Sequence, residues 1–308
     1  MWTELQAELQ RQGWQARLVP TAHLPELRRE IAARLDGGEL SGEFHAERLS
    51  WFRYQPDAFE EARSIIVLAI PRQQGRITFR HDGRAYTATI PPTYAQETET
   101  TMHACAWLTE HLASGGFRAT PTRLPLKLLA ARSGLAEYGR NNITYVGGLG
   151  SFHQLAGFYT DLPAETDPWR PAQVMEACSS CHLCAWSCPS GAILEDRFLL
   201  DAERCLVYLN ERIEPFPRWL KPEWHTCPIG CMECQSCCPE DQDATNRVEE
   251  LGEFTEAETG LLLRAAPLEE PEPELERKLR RAGLFDYREV LGRNLEALFE
   301  SQRRRGLA

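Results

Sequence analysis

The chain has 308 residues, with 34 basic side chains against 45 acidic ones and a formal charge of −11. Apolar residues at 43% and charged residues at 26% describe a folded chain long enough for one large domain or two ordinary ones. The acidity excludes a dedicated nucleic-acid binder, which needs clustered Lys and Arg against phosphate. Apolar runs such as 64–70 fall far short of the ~20 residues of a membrane helix. The first residues carry no basic patch followed by an apolar block, so no export signal is expected, and a cytoplasmic location follows.

In chain order, residues 1–12 and 24–35 have helical spacing, the second with Leu24, Leu27, Ile31 and Leu35 on one side. Residues 64–70 are a β-branched run stopped by Pro71, the pattern of a buried strand. Residues 76–90 alternate loosely around His81-Asp82-Gly83, where Asp-Gly predicts a hairpin. Helix returns over 101–112, with Met102, Cys105, Leu108 and Leu112 on one face, and over 126–133, which Gly134 ends as a C-cap. Residues 143–146 and 155–159 read equally as short strands or helix ends. Helices and strands without regular alternation predict an α+β fold rather than a doubly wound sheet. Residues 249–276 hold ten acidic side chains against one basic, and their Pro-rich end at 267–273 reads as an extended connector. Residues 277–305 reverse to nine basic and four acidic, with Leu291, Leu295, Leu298 and Phe299 as an amphipathic stripe. The expected organisation is a first domain over 1–170, a cysteine-defined domain over 171–245 and a helical tail over 246–308.

Cysteine usage is the anomaly. Ten of the eleven cysteines lie between Cys178 and Cys238, and only Cys105 lies outside. An odd number of thiols in a long chain without an export signal argues for metal ligation rather than a disulfide framework. The first run, Cys178-x2-Cys181-x2-Cys184-x3-Cys188-Pro189, has bacterial ferredoxin spacing, in which three thiolates wrap one cube and the fourth reaches a neighbouring one. Thiolates are the soft, anionic donors that iron–sulfur chemistry requires. One zinc ion needs only four ligands, and two such runs exceed that.

The second run, Cys227-x3-Cys231-x2-Cys234-x2-Cys237-Cys238-Pro239, offers five thiols for four places. If it mirrors the first, Cys238 completes the cluster of Cys178, Cys181 and Cys184. The other cluster then has Cys188, Cys231 and Cys234 plus one of Cys237, Cys205 or Cys227, and spacing leaves that choice open. His182 and His225 are expected beside the clusters or at the surface, since eight thiols suffice. Tyr138, Arg140 and Asn141 occupy a glycine-flanked loop that suits either a ligand site or a plain structural turn. His153, after the turn 147–150, reads as a proton donor or as a structural residue, and Asp161 as a turn cap. That turn lacks the strand–GxGxxG–helix context, which excludes a dinucleotide site.

The stretch Arg132-Ser133-Gly134-Leu135-Ala136-Glu137-Tyr138-Gly139-Arg140-Asn141 is similar to the A-G-L-G-W-I-G-K-N stretch of the epoxyqueuosine reductases, iron–sulfur and cobalamin enzymes related to reductive dehalogenases. Gly150-Ser151-Phe152 and Thr160-Asp161-Leu162-Pro163 resemble that family's G-S-W/F and T-D-L-P segments. Asp201-Ala202-Glu203-Arg204-Cys205 resembles its D-A-x-x-C element, and Gly230-Cys231-x2-Cys234-x3-Cys238-Pro239 its final G-C-x2-C-x3-C-P. The resemblance runs from near Phe59 to about Pro239.

The resemblance implies a nitroreductase-like, cobalamin-type N-terminal domain followed by a ferredoxin-like domain with two 4Fe-4S clusters. It implies Cys205 as the open ligand, giving Cys178, Cys181, Cys184 and Cys238 for one cluster and Cys188, Cys205, Cys231 and Cys234 for the other. Electrons from a flavodoxin- or ferredoxin-type donor would reach a cobalamin or substrate site lined by Tyr138, Arg140, Asn141 and Ser151. There are two departures from the family. Its catalytic Asp stands in a D-x-x-P context, but this chain reads Thr120-Pro121-Thr122-Arg123-Leu124-Pro125, with no carboxylate between Ala119 and Ala136. Of the helical repeats that dock tRNA in many members, only residues 277–305 offer a counterpart, so tRNA is disfavoured as a partner. The expected function is an iron–sulfur oxidoreductase. The alternatives are a cobalamin-free electron-transfer module that docks a partner protein, and a genuine epoxyqueuosine reductase using another proton donor.

Overall fold

The computed structural model describes residues 1–56, 59–264 and 271–307. The elements are α1 (Trp2–Arg11), β1 (Gln15–Pro20), α2 (Leu24–Asp36), α3 (Gly42–Arg48), β2 (Ser64–Pro71), β3 (Gln74–His81), β4 (Arg84–Ile90), α4 (Glu97–Ala113), β5 (Ala119–Pro121), α5 (Leu126–Arg132), β6 (Glu137–Tyr138), β7 (Thr144–Tyr145) and β8 (His153–Thr160). They continue with α6 (Leu183–Ser187), α7 (Leu206–Glu211), α8 (Glu233–Ser236), α9 (Gln242–Thr245), β9 (Val248–Phe254), α10 (Glu256–Leu262), α11 (Pro273–Arg281) and α12 (Arg288–Arg305). Among the described residues no helix is long and apolar enough to cross a membrane. Two compact units result, one of residues 1–71 and 98–181, the other of residues 72–97 and 182–308.

In the first unit four strands pair in the order β1-β2-β8-β5, all antiparallel. Side chains alternate across this sheet: Val19, Ile65, Val67 and Tyr159 pack with Leu24 and Leu27 of α2 and Leu128 and Leu129 of α5. Leu18, Ile66, Leu68 and Phe158 pack on the other face with Leu5 and Leu9 of α1 and Leu108 and Leu112 of α4. A sheet covered on both faces explains why 64–70 reads as an unbroken apolar run. Residues 155–159, open in the sequence, fall within strand β8, where Ile66 pairs with Phe158 and Leu68 with Ala156. The face expected for α4 is corrected in part, because its buried positions are Ala104, Leu108 and Leu112, whereas Met102 is 65% exposed. Starting from Ala104, the spacing i, i+4, i+8 follows the helical repeat more closely than a start from Met102.

In the second unit β3 lies between β4 and β9. The hairpin falls where Asp-Gly predicts it, and Asp82 (φ 51°) and Gly83 (φ 69°) both take the left-handed conformation that a tight two-residue hairpin turn requires. β9 runs parallel to β3, with ion pairs Arg76–Glu250 at 2.8 Å and Arg80–Glu253 at 2.9 Å along the seam. The segment expected to open a helical tail is therefore first a strand. This pairing draws residues 72–97 into the second unit, a long-range grouping that the boundaries expected at 170/171 and 245/246 do not contain. Residues 267–270 of the expected connector lie outside the described residues, and Pro273 already begins α11.

A capping box between Thr255 and Glu258 starts α10, and α10, α11 and α12 cover one face of the three-stranded sheet. Leu291, Leu295, Leu298 and Phe299 are all buried there, as the stripe predicts. The Phe299 ring stacks on Tyr86 at 4.1 Å and meets Phe79 at 6.1 Å. The polar side of α12 also reaches inward: buried Asn294 donates to the carbonyls of Asn210 at 2.9 Å and Pro228 at 3.0 Å. Arg293 beside it donates to Leu209 O at 3.1 Å.

Candidate functional site

The two cysteine runs fold alike. Cys184 lies on the short helix α6 and Cys234 on α8, and each run leaves its helix through an extended Cys-Pro, at Cys188 (ψ 107°) and Cys238 (ψ 124°). The proline keeps its preceding residue out of the helical region, so the chain turns away from the loop at that point. Cys205 stands immediately before α7 and is its N-terminal cap residue.

Burial pushes the Cys234 thiol well up, reinforced first by Cys205 and then by Cys184, Cys188 and Cys237. Cys231 is raised in the same way, by burial and then by Cys227, Cys234 and Cys205. Without a cation these thiols keep their protons, and a cationic iron core is the partner that would remove them. Backbone N–H groups already point at sulfur, from Ala192 to Cys188 at 3.3 Å and from Glu233 to Cys231. Such bonds help set cluster potential.

Two further thiols lie close by, Cys227 beside Cys231 and Cys237 beside Cys234. Cys237 donates its S–H toward the Cys234 carbonyl at 3.7 Å, and Cys227 is 1% exposed with its thiol pushed up to about 12 by burial. His225 is buried against Phe216 with Nδ1 bonded to Pro222 O at 3.1 Å. His182 stacks on Trp186 and lies 3.7 Å from Glu195.

In the first unit, Tyr138 and Asn141 are buried in the loop joining β6 and β7. Burial raises the Tyr138 hydroxyl. Asn141 donates from Nδ2 to Tyr145 Oη at 2.9 Å and accepts from the Ile143 N–H at 3.2 Å, so both ends of its amide serve the turn. Gly139 is required there, since a Cβ would lie 2.5 Å from the Tyr145 ring and 2.6 Å from Asn141 Oδ1. Arg140, expected at a cofactor, donates instead from Nε to Cys181 O at 2.9 Å and from Nη2 to Cys178 O at 2.8 Å. That partnership has no sequence signal, because every residue carries a carbonyl. Ser151 is buried just after the bridge between Val146 and Gly150. In the stretch without carboxylates, the ammonium of Lys127 donates to Asn142 O at 3.2 Å. Asp161 accepts from the Arg118 N–H at 2.8 Å and closes one end of the β5–β8 pair, a turn-capping role.

His153 is buried, with Nδ1 donating to Gly150 O at 3.1 Å and Nε2 3.2 Å from the Thr144 hydroxyl. Burial lowers its pKa to about 4, so the ring is neutral near pH 7. The unfolded chain, with an ordinary histidine, binds the proton first as pH falls. The stability from this ring is therefore complete above about 6.5 and lost as pH falls toward about 4, a total of about 3 kcal/mol at about 1.4 per pH unit. Thermal melts of the native chain and His153→Gln should diverge in slope across that window, the native chain losing more. Parallel slopes would show that the ring does not titrate this way.

Residues 177–241 match the family described as 4Fe-4S double cluster binding domain. The chain is 33% identical over 133 residues to the epoxyqueuosine reductase of Escherichia coli K12, a match covering 42% of this chain and 34% of that enzyme. The match thus spans about a third of that curated relative's length. The epoxyqueuosine reductase structure from Streptococcus thermophilus superposes with a TM-score of 0.70 at 17% identity, over 99% of this chain and 82% of that one. An epoxyqueuosine reductase with an epoxyqueuosine-modified tRNA-Tyr stem loop gives 0.64 at 20% identity, over 95% and 79% of the two chains. The paired cysteine runs, the mixed α+β fold and these sequence relationships make the chain a relative of the epoxyqueuosine reductases that carries a double 4Fe-4S cluster domain.

Proposed function

We propose that this chain is an iron–sulfur oxidoreductase that takes single electrons from an external flavodoxin- or ferredoxin-type donor and passes them through two 4Fe-4S clusters to an organic acceptor. The observation that carries the reading is the gathering of thiols from separate stretches, Cys184, Cys188 and Cys205, around buried Cys234. The second cluster takes Cys188, Cys205, Cys231 and Cys234. Support for Cys205 is its presence beside both Cys231 and Cys234, where Cys237 turns to a helix carbonyl. The set Cys178, Cys181, Cys184 and Cys238 follows the sequence spacing. When bound, the clusters supply one-electron reducing power at low potential. This chain's own residues bury the sulfurs, direct N–H groups at them and cover them with apolar side chains such as Leu206, Leu209 and Leu220.

A corrin is the acceptor that the family resemblance implies. Arg140 and Asn141 use their polar groups on the protein itself and do not fit as its ligands, and the reading does not depend on that group. A second reading, reduction of epoxyqueuosine in tRNA, is favoured by the named activity of the relatives. Removing the epoxide oxygen as water takes two electrons and two protons, so that reading needs a donor other than the absent Asp.

The test is anaerobic purification with iron, sulfide and zinc measured on one preparation. About eight irons and eight sulfides per chain are expected for two clusters. Colourless protein with stoichiometric zinc would end the proposal. Incubation with epoxyqueuosine-containing tRNA and a chemical reductant tests the second reading, and the absence of queuosine would remove it.

A further inference from the structure

Arg140 is held from both sides. The turn beneath it is closed by Gly139 N–H to Ile143 O at 2.8 Å and Asn142 N–H to Gly139 O at 2.9 Å, and it is packed by Asn141 on Tyr145. The segment leading to Cys178 is pinned along Tyr138, which donates to Gln173 O and accepts from the Met175 N–H, both at 2.8 Å. From this rigid base the guanidinium spans two peptide carbonyls three residues apart, those of Cys178 and Cys181. The planar guanidinium makes both bonds from one rigid group, which an ammonium on a flexible stem would hold less firmly. In the epoxyqueuosine reductase stretch that this segment resembles, lysine stands at that place.

We infer that Arg140 is a positioning residue for the first cluster: it fixes the loop of Cys178 and Cys181 and poises that cluster toward its reduced state. This rests on the reading proposed above. Neutral carbonyls leave the guanidinium its full charge, and arginine does not deprotonate in proteins. A cube held by four thiolates is anionic and gains another negative charge when reduced. A fixed cation bonded to the backbone of two of its ligand residues therefore favours the reduced form, and its half-buried setting limits screening by salt.

The experiment is a potentiometric titration of the full-length holoprotein followed by EPR, with the first-cluster signal identified as the one that Cys181→Ser perturbs. Iron-free wild-type protein would defeat the functional proposal and not this one. With both clusters loaded, Arg140→Gln should lower the reduced-to-oxidised ratio of the first cluster about tenfold at the native midpoint, equivalent to about 59 mV for one electron. The second cluster should not move. Arg140→Lys keeps the charge and loses the fork, and its first cluster should stay within about threefold of native. The inference is overturned if Arg140→Gln leaves the first midpoint in place, if both clusters move together, or if Arg140→Lys falls as far as Arg140→Gln. If Arg140→Gln does not load the first cluster, Arg140→Lys decides: a loaded cluster with a near-native midpoint supports the inference, and an empty or shifted one overturns it.

Discussion

Cys205→Ala is expected to cost the protein about half of its iron and one of two EPR signals, while Cys237→Ala keeps about eight irons per chain. The asymmetry follows from where each sulfur sits. Cys205 is the leading thiol influence on Cys234 and also acts on Cys231, after Cys227 and Cys234, although it is 26 residues from the nearer of them in sequence. Cys237, three residues from Cys234, is directed back at the carbonyl of that same residue. Removing a true ligand opens a corner of the cube to solvent, where oxidation strips the iron. Removing a thiol that only hydrogen-bonds leaves the cluster intact. Iron analysis of the two variants side by side settles the matter, and the reverse pattern would move the ligand assignment to Cys237.

Phe299→Ala is expected to destabilise the second unit by about 3–5 kcal/mol, the usual cost of removing a buried phenylalanine and leaving its cavity. Phe299 is 1% exposed and fills the space between α12 and the sheet, with Tyr86 on one side and Phe79 nearby. None of these aromatic neighbours can close the gap without leaving its own contacts. Hydrogen exchange at the amides of β3 is the suitable probe, because it reports opening of this unit alone. Protection should fall by two to four orders of magnitude, at about 1.4 kcal/mol per decade. A loss under tenfold would mean that α12 is not a structural wall of this unit.

Much of the frame is legible in the sequence where one short-range signal dominates. The run 64–70, the Asp82-Gly83 turn and the leucine stripe of α12 each depend on neighbours a few residues away, and each lies where that logic puts it. β9 was not legible. Three of its seven residues are glutamates and it resembles a solvated segment, and its partner in pairing is a basic strand, with Arg76 and Arg80, more than 170 residues earlier. The cysteine runs announce clusters by spacing, yet the fourth ligand of the second cluster needs proximity in space, which spacing does not carry. Arg140 shows the same limit. Its charge and glycine-flanked setting mark it as a candidate, but its partners are backbone atoms that no residue type reveals.

The bonds from Asn294 to the carbonyls of Asn210 and Pro228 have a biological corollary. They tie α12 to the segment that follows Cys205 and to the one that precedes Cys231. Disorder at those segments would remove two of the anchors that hold this helix in place. Chains that lack clusters are therefore expected to lose the arginine-rich end of α12 to trypsin sooner than loaded ones, and equal digestion rates would show that the helix does not sense those segments.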